Sequence, residues 1–345
     1  MATLRPSGQH TDRGDRASAR GRYTRPVATP IASVDVPASS ANLGSGFDAF
    51  AVALSLKLRA ELHPGNLPGI VLTGHGEGAA EAESAGSDSL VVRAFREGLR
   101  AAGGPPGGNA AWRIEVSSMI PAARGLGSSA AAILGGLLLG ASAGRLSTTP
   151  DQLLALAASL EGHPDNVAAA LYGGFTLAVA PAEPDARSEF VLRRFRVPEA
   201  WIPVLFIAQT ESHTADMRAA LPARVPLHDA VAQAARAALL ATAILTSDAA
   251  LLRTAMDDRL HQPYRLPILP GAARLIEQAY QIGAAGACLS GAGPSVLAIC
   301  DSPLTAHSVE KAWNASAGST TGMEGMATRL RFDTAGAKLS VDQRE

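Results

Sequence analysis

The sequence has 345 residues, a length that suits two domains of ordinary size. It holds 30 Lys and Arg against 31 Asp and Glu, and this balance gives no electrostatic reason to expect nucleic acid or a membrane surface as a partner. Its two cysteines, Cys288 and Cys300, are too few for a disulfide framework and favour a reducing, cytoplasmic setting.

Residues 1–28 are polar and rich in Arg, and their composition predicts a disordered tail rather than a signal peptide. Strand and helix patterns then follow one another to residue 185. Strands are predicted over 31–36, 57–62, 70–78, 112–119 and 175–179, and helices over 90–101, 130–140, 150–160 and 168–172. The most apolar window, 130–141, is too short to span a bilayer, so no membrane contact is expected.

An acidic stretch with prolines, 181–187, predicts the boundary between two domains, which we place at 29–185 and 186–332. The second domain has predicted strands over 204–208, 287–289 and 296–300, and predicted helices over 230–245, 248–256 and 271–281. Residues 333–345 are predicted as a terminal tail without regular structure. Strands and helices mix without strict alternation, which indicates the α+β class.

The most informative stretch is residues 121–132, where a predicted strand leads into Gly125, Gly127, Ser128 and Ser129 and a helix leads out. Unpaired N–H groups at a helix N-terminus bind anions, and glycines let the backbone approach a ligand closely. The serines can cap the helix, or they can offer a hydroxyl to a phosphate or its metal. Two interpretations stay open: a phosphate-binding loop, and an ordinary capped helix after a glycine turn.

A dinucleotide-binding fold of an oxidoreductase is a rival interpretation, because Gly125, Gly127 and Ala130 match the spacing G-x-G-x-x-G/A. Residues 121–124 separate the strand from the first glycine, however, where that fold needs a tight turn. No lysine follows a glycine anywhere in the sequence, so a Walker A loop is excluded. Phosphoryl transfer here would rely on backbone N–H groups, hydroxyls and a metal.

A second polar cluster, residues 161–166, holds two carboxylates, an imidazole and an amide. Such a cluster suits Mg²⁺ that is shared with substrate phosphates, because Mg²⁺ keeps several waters and takes few protein ligands. An ordinary polar turn at a helix end would have the same composition.

Three stretches resemble, in the same order, the motifs of the GHMP kinases. Residues 121–132 resemble the family's P-x-x-x-G-L-G-S-S-A-A signature, 36–48 resemble its first motif, and 289–295 resemble its third. The stretches most similar to the homoserine kinase branch are 39–48, 161–167 and 258–265.

The resemblance implies an N-terminal domain like ribosomal protein S5 domain 2 and a ferredoxin-like C-terminal domain. It implies ATP, Mg²⁺ and transfer of the γ-phosphoryl to the side-chain hydroxyl of L-homoserine, in threonine biosynthesis, and it implies a homodimer. The alternatives are a GHMP kinase for mevalonate or a sugar, and a non-catalytic ligand sensor on the same fold. Loss of Ser129 or Glu161 would favour the sensor, and both residues are present.

The resemblance also implies the residues of the nucleotide site. Those expected to contact ATP are Pro121, Arg124, Gly125, Leu126, Gly127, Ser128, Ser129, Ala130, Gly291 and Gly293. Ser129 and Glu161 are expected to hold Mg²⁺. Asn166 completes the predicted catalytic set, because its amide can orient the acceptor hydroxyl without removing its proton.

The charges of L-homoserine predict the remainder of the pocket, because a buried charge needs a partner. We expect its ammonium on Asp48, assisted by Asn42 as an amide acceptor, and its carboxylate on Arg218 and Arg265. Asp48 as a helix cap, and the arginines as surface charges, stay open. The residues expected to close around the hydroxyl end are His163 and Asn166.

Overall fold

The computed structural model describes residues 30–66, 69–104, 111–144, 147–181 and 190–342. The tail predicted over 1–28 lies outside these ranges, and so does the predicted domain boundary between residues 185 and 186. Within them the chain forms two sheets, each covered by helices, and the α+β class is confirmed.

Eleven strands lie in the described ranges: β1 (Ala32–Ala41), β2 (Phe50–Pro64), β3 (Gly69–Gly76), β4 (Ala111–Ser118), β5 (Phe175–Val179), β6 (Val191–Phe195), β7 (Ile202–Ala208), β8 (Gly286–Leu289), β9 (Val296–Cys300), β10 (Gly325–Arg329) and β11 (Lys338–Val341). The first sheet has the order β11-β1-β2-β4-β3, and β5 joins it by pairing with both β2 and β6. Only β3 and β4 run parallel among these described pairs.

The second sheet has the order β10-β7-β9-β8 and is antiparallel throughout. Of the four strands in this sheet, the first along the chain, β7, lies between the last, β10, and the third, β9, an order that belongs to the ferredoxin-like fold. The predicted architecture of the C-terminal domain is therefore confirmed. Its separate core includes Phe206 and Trp313, whose rings meet edge to face at 6.2 Å.

Eleven α-helices lie in the described ranges: α1 (Ala79–Ala85), α2 (Leu90–Ala101), α3 (Ser128–Ala143), α4 (Pro150–Glu161), α5 (Asp165–Tyr172), α6 (Thr214–Ala219), α7 (Leu227–Thr246), α8 (Leu252–Ala255), α9 (Gln262–Arg265), α10 (Pro270–Ile282) and α11 (Pro303–Ser316). The apolar helix α3 packs between the first sheet and α2. Gly136 and Gly140 allow this approach, because a Cβ on either would overlap a backbone carbonyl oxygen of α2. The close packing fixes the position of α3 in the domain, and with it the position of the helix N-terminus described below.

Three predicted elements differ from the structure. The strand predicted over 57–62 is the second half of the longer strand β2. Strand β1 pairs with β2 over its whole length, with one shift of register between Pro37 and Ala38. The helix predicted over 248–256 divides into a 3₁₀ turn over Ala249–Leu251 and the short α8. The terminal tail predicted over 333–345 contains β11, which pairs with β1 and extends the first sheet.

One described helix, α7, is long and apolar enough to cross a membrane by length and composition alone. The most apolar window of the sequence, 130–141, lies instead in the shorter α3. One such helix is weak evidence for a membrane span, because it rests on length and composition alone. The expectation that the chain has no membrane partner therefore stays a prediction.

Candidate active site

Two cavities adjoin the N-terminus of α3, and both are lined by Ser128 and Ser129. The first has a volume of about 230 Å³ and brings together most of the predicted site residues. Those that line it are Asn42, Asp48, Gly125, Leu126, Gly127, Ser128, Ser129, Glu161, His163, Asn166, Arg218, Arg265 and Gly291. The second, about 340 Å³, is mainly apolar and lies between α1, α2, β4 and α3.

The glycine loop before α3 takes its shape from the two other motifs. Gly125 and Gly127 have φ of 74° and 67°, a left-handed conformation that glycine adopts without strain. Ser290 donates to the Gly125 carbonyl oxygen at 2.7 Å, and the Leu126 carbonyl oxygen accepts from the Ser39 N–H at 3.1 Å. Three sequence motifs are thus joined at one place, with the first N–H groups of α3 beside the cavity.

Glu161 closes this loop from the C-terminal end of α4. Ser129 Oγ donates to Glu161 Oε1 at 2.5 Å, so a hydroxyl and a carboxylate lie together at the junction of the cavities. Burial raises the pKa of Glu161 above its usual value, while the Ser129 hydrogen bond opposes that shift. A cation at this pair would relieve the cost of burying the carboxylate.

His163 and Asn166 are held by partners that the sequence analysis did not select. The buried Asp165 accepts from the Asn166 N–H at 2.7 Å and lies 2.7 Å from His163 Nδ1. Burial lowers the pKa of His163, but the hydrogen bond and charge of Asp165 and the charge of Glu161 outweigh it, so the pKa is raised. The imidazole is therefore held in one orientation by Asp165.

Asn166 is oriented from the opposite side by Ser39 on β1. Ser39 Oγ donates to Asn166 Oδ1 at 2.9 Å, and both side chains are buried. Because Oδ1 is engaged, the amide Nδ2 group is the donor that this side chain can offer within the cavity. Both Ser39 and Asp165 lie within motifs recognised from the sequence, which is the signal that could have selected them.

The predicted substrate charges lie together, but two of them pair with each other. Arg218 Nη2 donates to Asp48 Oδ1 at 2.8 Å, and Arg218 Nη1 donates to Asp48 Oδ2 at 3.0 Å. We expected these two residues to bind opposite ends of a substrate. The pair is 40% and 37% exposed, so it contributes about 1 kcal/mol or less to stability. A ligand that carries both charges can therefore separate it at small cost.

Arg265 lies beneath this pair and is almost fully buried. Burial and then the charge of Arg218 lower its pKa, although a guanidinium stays charged in proteins. The ring of Phe47 lies 5.5 Å from the Arg265 guanidinium and 5.9 Å from that of Arg218. Two guanidinium groups on one aromatic ring form a site in which an additional anion is stabilised.

Asn42 lines the cavity but does not have the free amide oxygen that we expected. Its Oδ1 accepts from the Asp48 N–H at 3.0 Å, and its Nδ2 donates to the Gly291 carbonyl oxygen at 2.8 Å. The side chain thus fixes the position of Asp48 and joins the first motif to the third. Its effect on a ligand acts through Asp48.

Four predicted nucleotide contacts line neither cavity: Pro121, Arg124, Ala130 and Gly293. Arg124 instead donates to the carbonyl oxygens of Ala122, Ala208 and Gln209, and so connects the glycine loop to β7 of the second domain. Conversely, the cavity wall includes a segment before α6 that no sequence pattern marked. Its residues are Ser212, His213 and Thr214.

Comparison with known proteins agrees with this arrangement. A profile described as the GHMP kinases N terminal domain matches residues 89–174, and one described as GHMP kinases C terminal matches residues 235–319. A homoserine kinase of Moorella thermoacetica is 40% identical over 272 residues, which cover 77% of this chain and 86% of that protein. One of Thermus thermophilus is 43% identical over 266 residues, covering 76% and 85%.

Solved structures show the same fold. A homoserine kinase from Cytophaga hutchinsonii has a TM-score of 0.79 and 25% identity, covering 91% of this chain and 99% of that one. The mevalonate kinase of L. major, at 16% identity and a TM-score of 0.62, shows the fold alone. The chain therefore belongs to the GHMP kinase family and, within it, to the homoserine kinases.

Proposed function

We propose that the chain transfers the γ-phosphoryl group of ATP to the side-chain hydroxyl of L-homoserine. One observation carries the proposal: the cavity beside the glycine loop is lined by Asp48 and two arginines and also by Asn166, Ser129 and Glu161. The first set matches the ammonium and carboxylate of an amino acid. The second set suits a hydroxyl, a phosphate and a divalent cation.

ATP fits the two adjoining cavities. The apolar cavity suits a planar base, and Ser128 and Ser129 lie where its phosphates would pass into the polar cavity. The N–H groups of the loop and of the first turn of α3 would bind those phosphates. Asp88 and Ser89 line the apolar cavity, so they are candidates to offer hydrogen-bonding groups to the proposed base.

Ser129 and Glu161 fit Mg²⁺, because they place a neutral oxygen and a carboxylate oxygen 2.5 Å apart at the junction of the cavities. When bound, Mg²⁺ supplies positive charge that neutralises the phosphate oxygens. The raised pKa of Glu161 is consistent with a carboxylate positioned for a cation.

L-Homoserine can replace the Asp48–Arg218 pair charge for charge. Its ammonium takes Asp48 and its carboxylate takes Arg218 and Arg265, so that neither protein charge is left without a partner. The exposed pair costs little to separate, whereas a ligand without an ammonium would leave Asp48 unpaired. This arrangement favours an amino acid over mevalonate or a sugar.

Asn166 orients the acceptor hydroxyl by donating from its Nδ2 group, while Ser39 and Asp165 prevent the amide from rotating. Phosphoryl transfer passes through a loose transition state, so position and charge matter more than a strong base. His163 lies at the same wall, where Asp165 and Glu161 raise its pKa, and the mechanism requires no change in its protonation. No side chain in this mechanism removes the hydroxyl proton in advance.

This mechanism predicts how the rate depends on pH. At saturating Mg²⁺, kcat should change by less than about threefold as the pH falls from 8 to 6, because the amide of Asn166 does not titrate. Initial rates of ADP release measure the profile. A tenfold fall in kcat per pH unit over that interval would show that a deprotonated base is required and would contradict the mechanism.

Asp48→Asn tests the ammonium contact. We expect kcat/KM for L-homoserine to fall roughly 10- to 100-fold, and that for 4-hydroxybutyrate, which lacks the ammonium, to change little. Asp216→Asn is the matched control, since Asp216 lies on the same helix as Arg218 but outside the cavity. If Asp48→Asn leaves the ratio between the two acceptors unchanged, Asp48 does not bind the ammonium.

A further inference from the structure

A histidine and two glutamates meet on the first sheet, apart from the catalytic cavity. Glu61 and His63 lie on β2, and Glu115 lies directly opposite Glu61 on β4. His63 Nε2 is 3.5 Å from Glu61 Oε2 and 3.7 Å from Glu115 Oε2. One nitrogen and two carboxylate oxygens, all within 4.8 Å of one another, thus converge from two strands.

The two carboxylates are held in place by arginines. Arg59 Nε donates to Glu61 Oε1 at 2.8 Å, and Arg113 makes an ion pair with Glu115 Oε1. Each arginine engages one oxygen of its carboxylate, and the other oxygen is the one nearest to the imidazole. The ligand atoms are therefore oriented before any ion arrives, which lowers the entropy cost of binding.

We propose that Glu61, His63 and Glu115 bind one divalent transition-metal cation of the zinc type. Ligand atoms about 2.1 Å from a tetrahedral Zn²⁺ lie roughly 3.4 Å apart, close to the observed spacing from the imidazole to each carboxylate. An imidazole with carboxylates suits zinc, whereas Mg²⁺ prefers oxygen ligands alone. The glutamates are 23% and 33% exposed, so the fourth position opens to water.

The imidazole is the group that separates this site from an ordinary acidic cluster. Its side chain is only 1% exposed, and it forms the base of the site beneath two partly exposed carboxylates. A protonated His63 between the two glutamates is the competing arrangement. In that case the three side chains form an ion-pair group, and added metal gains no binding energy there.

The site lies at the far end of the sheet from the catalytic cavity. Glu61 pairs with Ser33 near the start of β1, whereas Ala41, at the end of that strand, lines the cavity. The strand between them spans roughly 26 Å. The ion would therefore join β2 to β4 and stabilise the sheet, and catalysis would not require it.

Titration with Co²⁺ in excess Mg²⁺ tests the site, because four-coordinate Co²⁺ absorbs visible light and replaces zinc in such ligand sets. We expect one equivalent to bind the wild-type chain with this absorption, and Zn²⁺ to displace it. The affinity should fall at least about 100-fold in His63→Gln and in Glu115→Gln. Zn²⁺ at about 100 times its Kd should raise the wild-type Tm by roughly 5 °C.

Two controls identify the ligands. Asp35→Asn removes a partner of Arg59 from the same sheet without removing a ligand, so the absorption should persist. His163→Gln makes the same change at the histidine of the catalytic cavity, and the Co²⁺ absorption should persist in this variant as well. The Glu115→Gln variant guards against misfolding of His63→Gln, because Glu115 is the more exposed side chain. Equal Co²⁺ spectra in wild type, His63→Gln and Glu115→Gln, or no uptake by the wild type, would overturn the proposal.

Discussion

Gly127→Ala is expected to lower kcat/KM for ATP by more than about 100-fold. A Cβ at this position would collide with Ser39 Oγ and lie 3.1 Å from Asn166 Oδ1. The substitution would therefore displace the hydrogen bond that orients Asn166 and put a methyl group beside the N–H groups that we propose bind phosphate. The left-handed φ of 67° adds about 1–2 kcal/mol of strain for any residue with a Cβ.

Gly283→Ala separates the strain from the contact. Gly283 ends α10 with a φ of 107°, and a Cβ there would meet no atom within 4 Å. That variant should lose some stability while its KM for ATP stays within about twofold of the wild type. The two variants are compared by nucleotide binding and by steady-state kinetics at one temperature. Normal ATP binding by Gly127→Ala would remove the loop from the phosphate site.

Glu161→Gln is expected to raise the Mg²⁺ concentration required for half-maximal rate by more than about 100-fold, because a residue that contacts the cation should matter more than one that only supports a ligand. The amide keeps the shape and can still contact Ser129, but it lacks the charge that attracts the cation. Magnesium titrations of the rate measure the effect. Glu310→Gln, in the second domain, is a control in which a glutamate paired with Arg329 is changed.

The pH dependence of the Mg²⁺ requirement gives a second measurement on the same residue. Burial raises the pKa of Glu161, so this carboxylate is protonated at a higher pH than an ordinary glutamate. Protonation would remove the proposed metal ligand, and the half-saturating Mg²⁺ concentration of the wild type should therefore rise as the pH falls through that raised pKa. Glu161→Gln should lose this dependence. An identical Mg²⁺ titration in wild type and Glu161→Gln would exclude Glu161 as a ligand.

Much of the site was predictable from sequence because its parts are local motifs. A glycine loop before a helix has the same geometry wherever the chain places it. In the same way, the capping box of Thr149 and Gln152 marks the start of α4 through residues that are neighbours in sequence. The hairpin of β8 and β9 follows from a similar signal, because a glycine-rich turn separates two apolar runs. These features need no knowledge of distant contacts.

The remainder of the site depends on contacts between segments far apart in sequence. Asp48 and Arg218 are 170 residues apart, and Ser39 and Asn166 are 127 apart, so no spacing could reveal that each pair forms a hydrogen bond. Residue type alone suggested that Asp48 and Arg218 were free for a substrate. The fold shows that they pair with each other.

The same limit explains the errors in the predicted fold. Residues 338–341 are only four long and are exposed, and they form a strand by pairing with the edge of β1. Likewise, Arg124 lies within the phosphate motif, but its guanidinium binds carbonyl oxygens of the second domain. Which partner a long side chain takes is decided by tertiary structure, and the motif does not contain that information.

The acceptor specificity of the wild-type chain tests the proposed function most directly. ADP release is measured with ATP, Mg²⁺ and, in separate reactions, L-homoserine, mevalonate, 4-hydroxybutyrate and a hexose, and the product is identified by phosphorus NMR. We expect kcat/KM for L-homoserine to exceed that for every other acceptor by more than about 100-fold, with the phosphate on the side-chain oxygen. A higher kcat/KM for mevalonate or the hexose, or ATP binding without transfer to any acceptor, would contradict the proposed function.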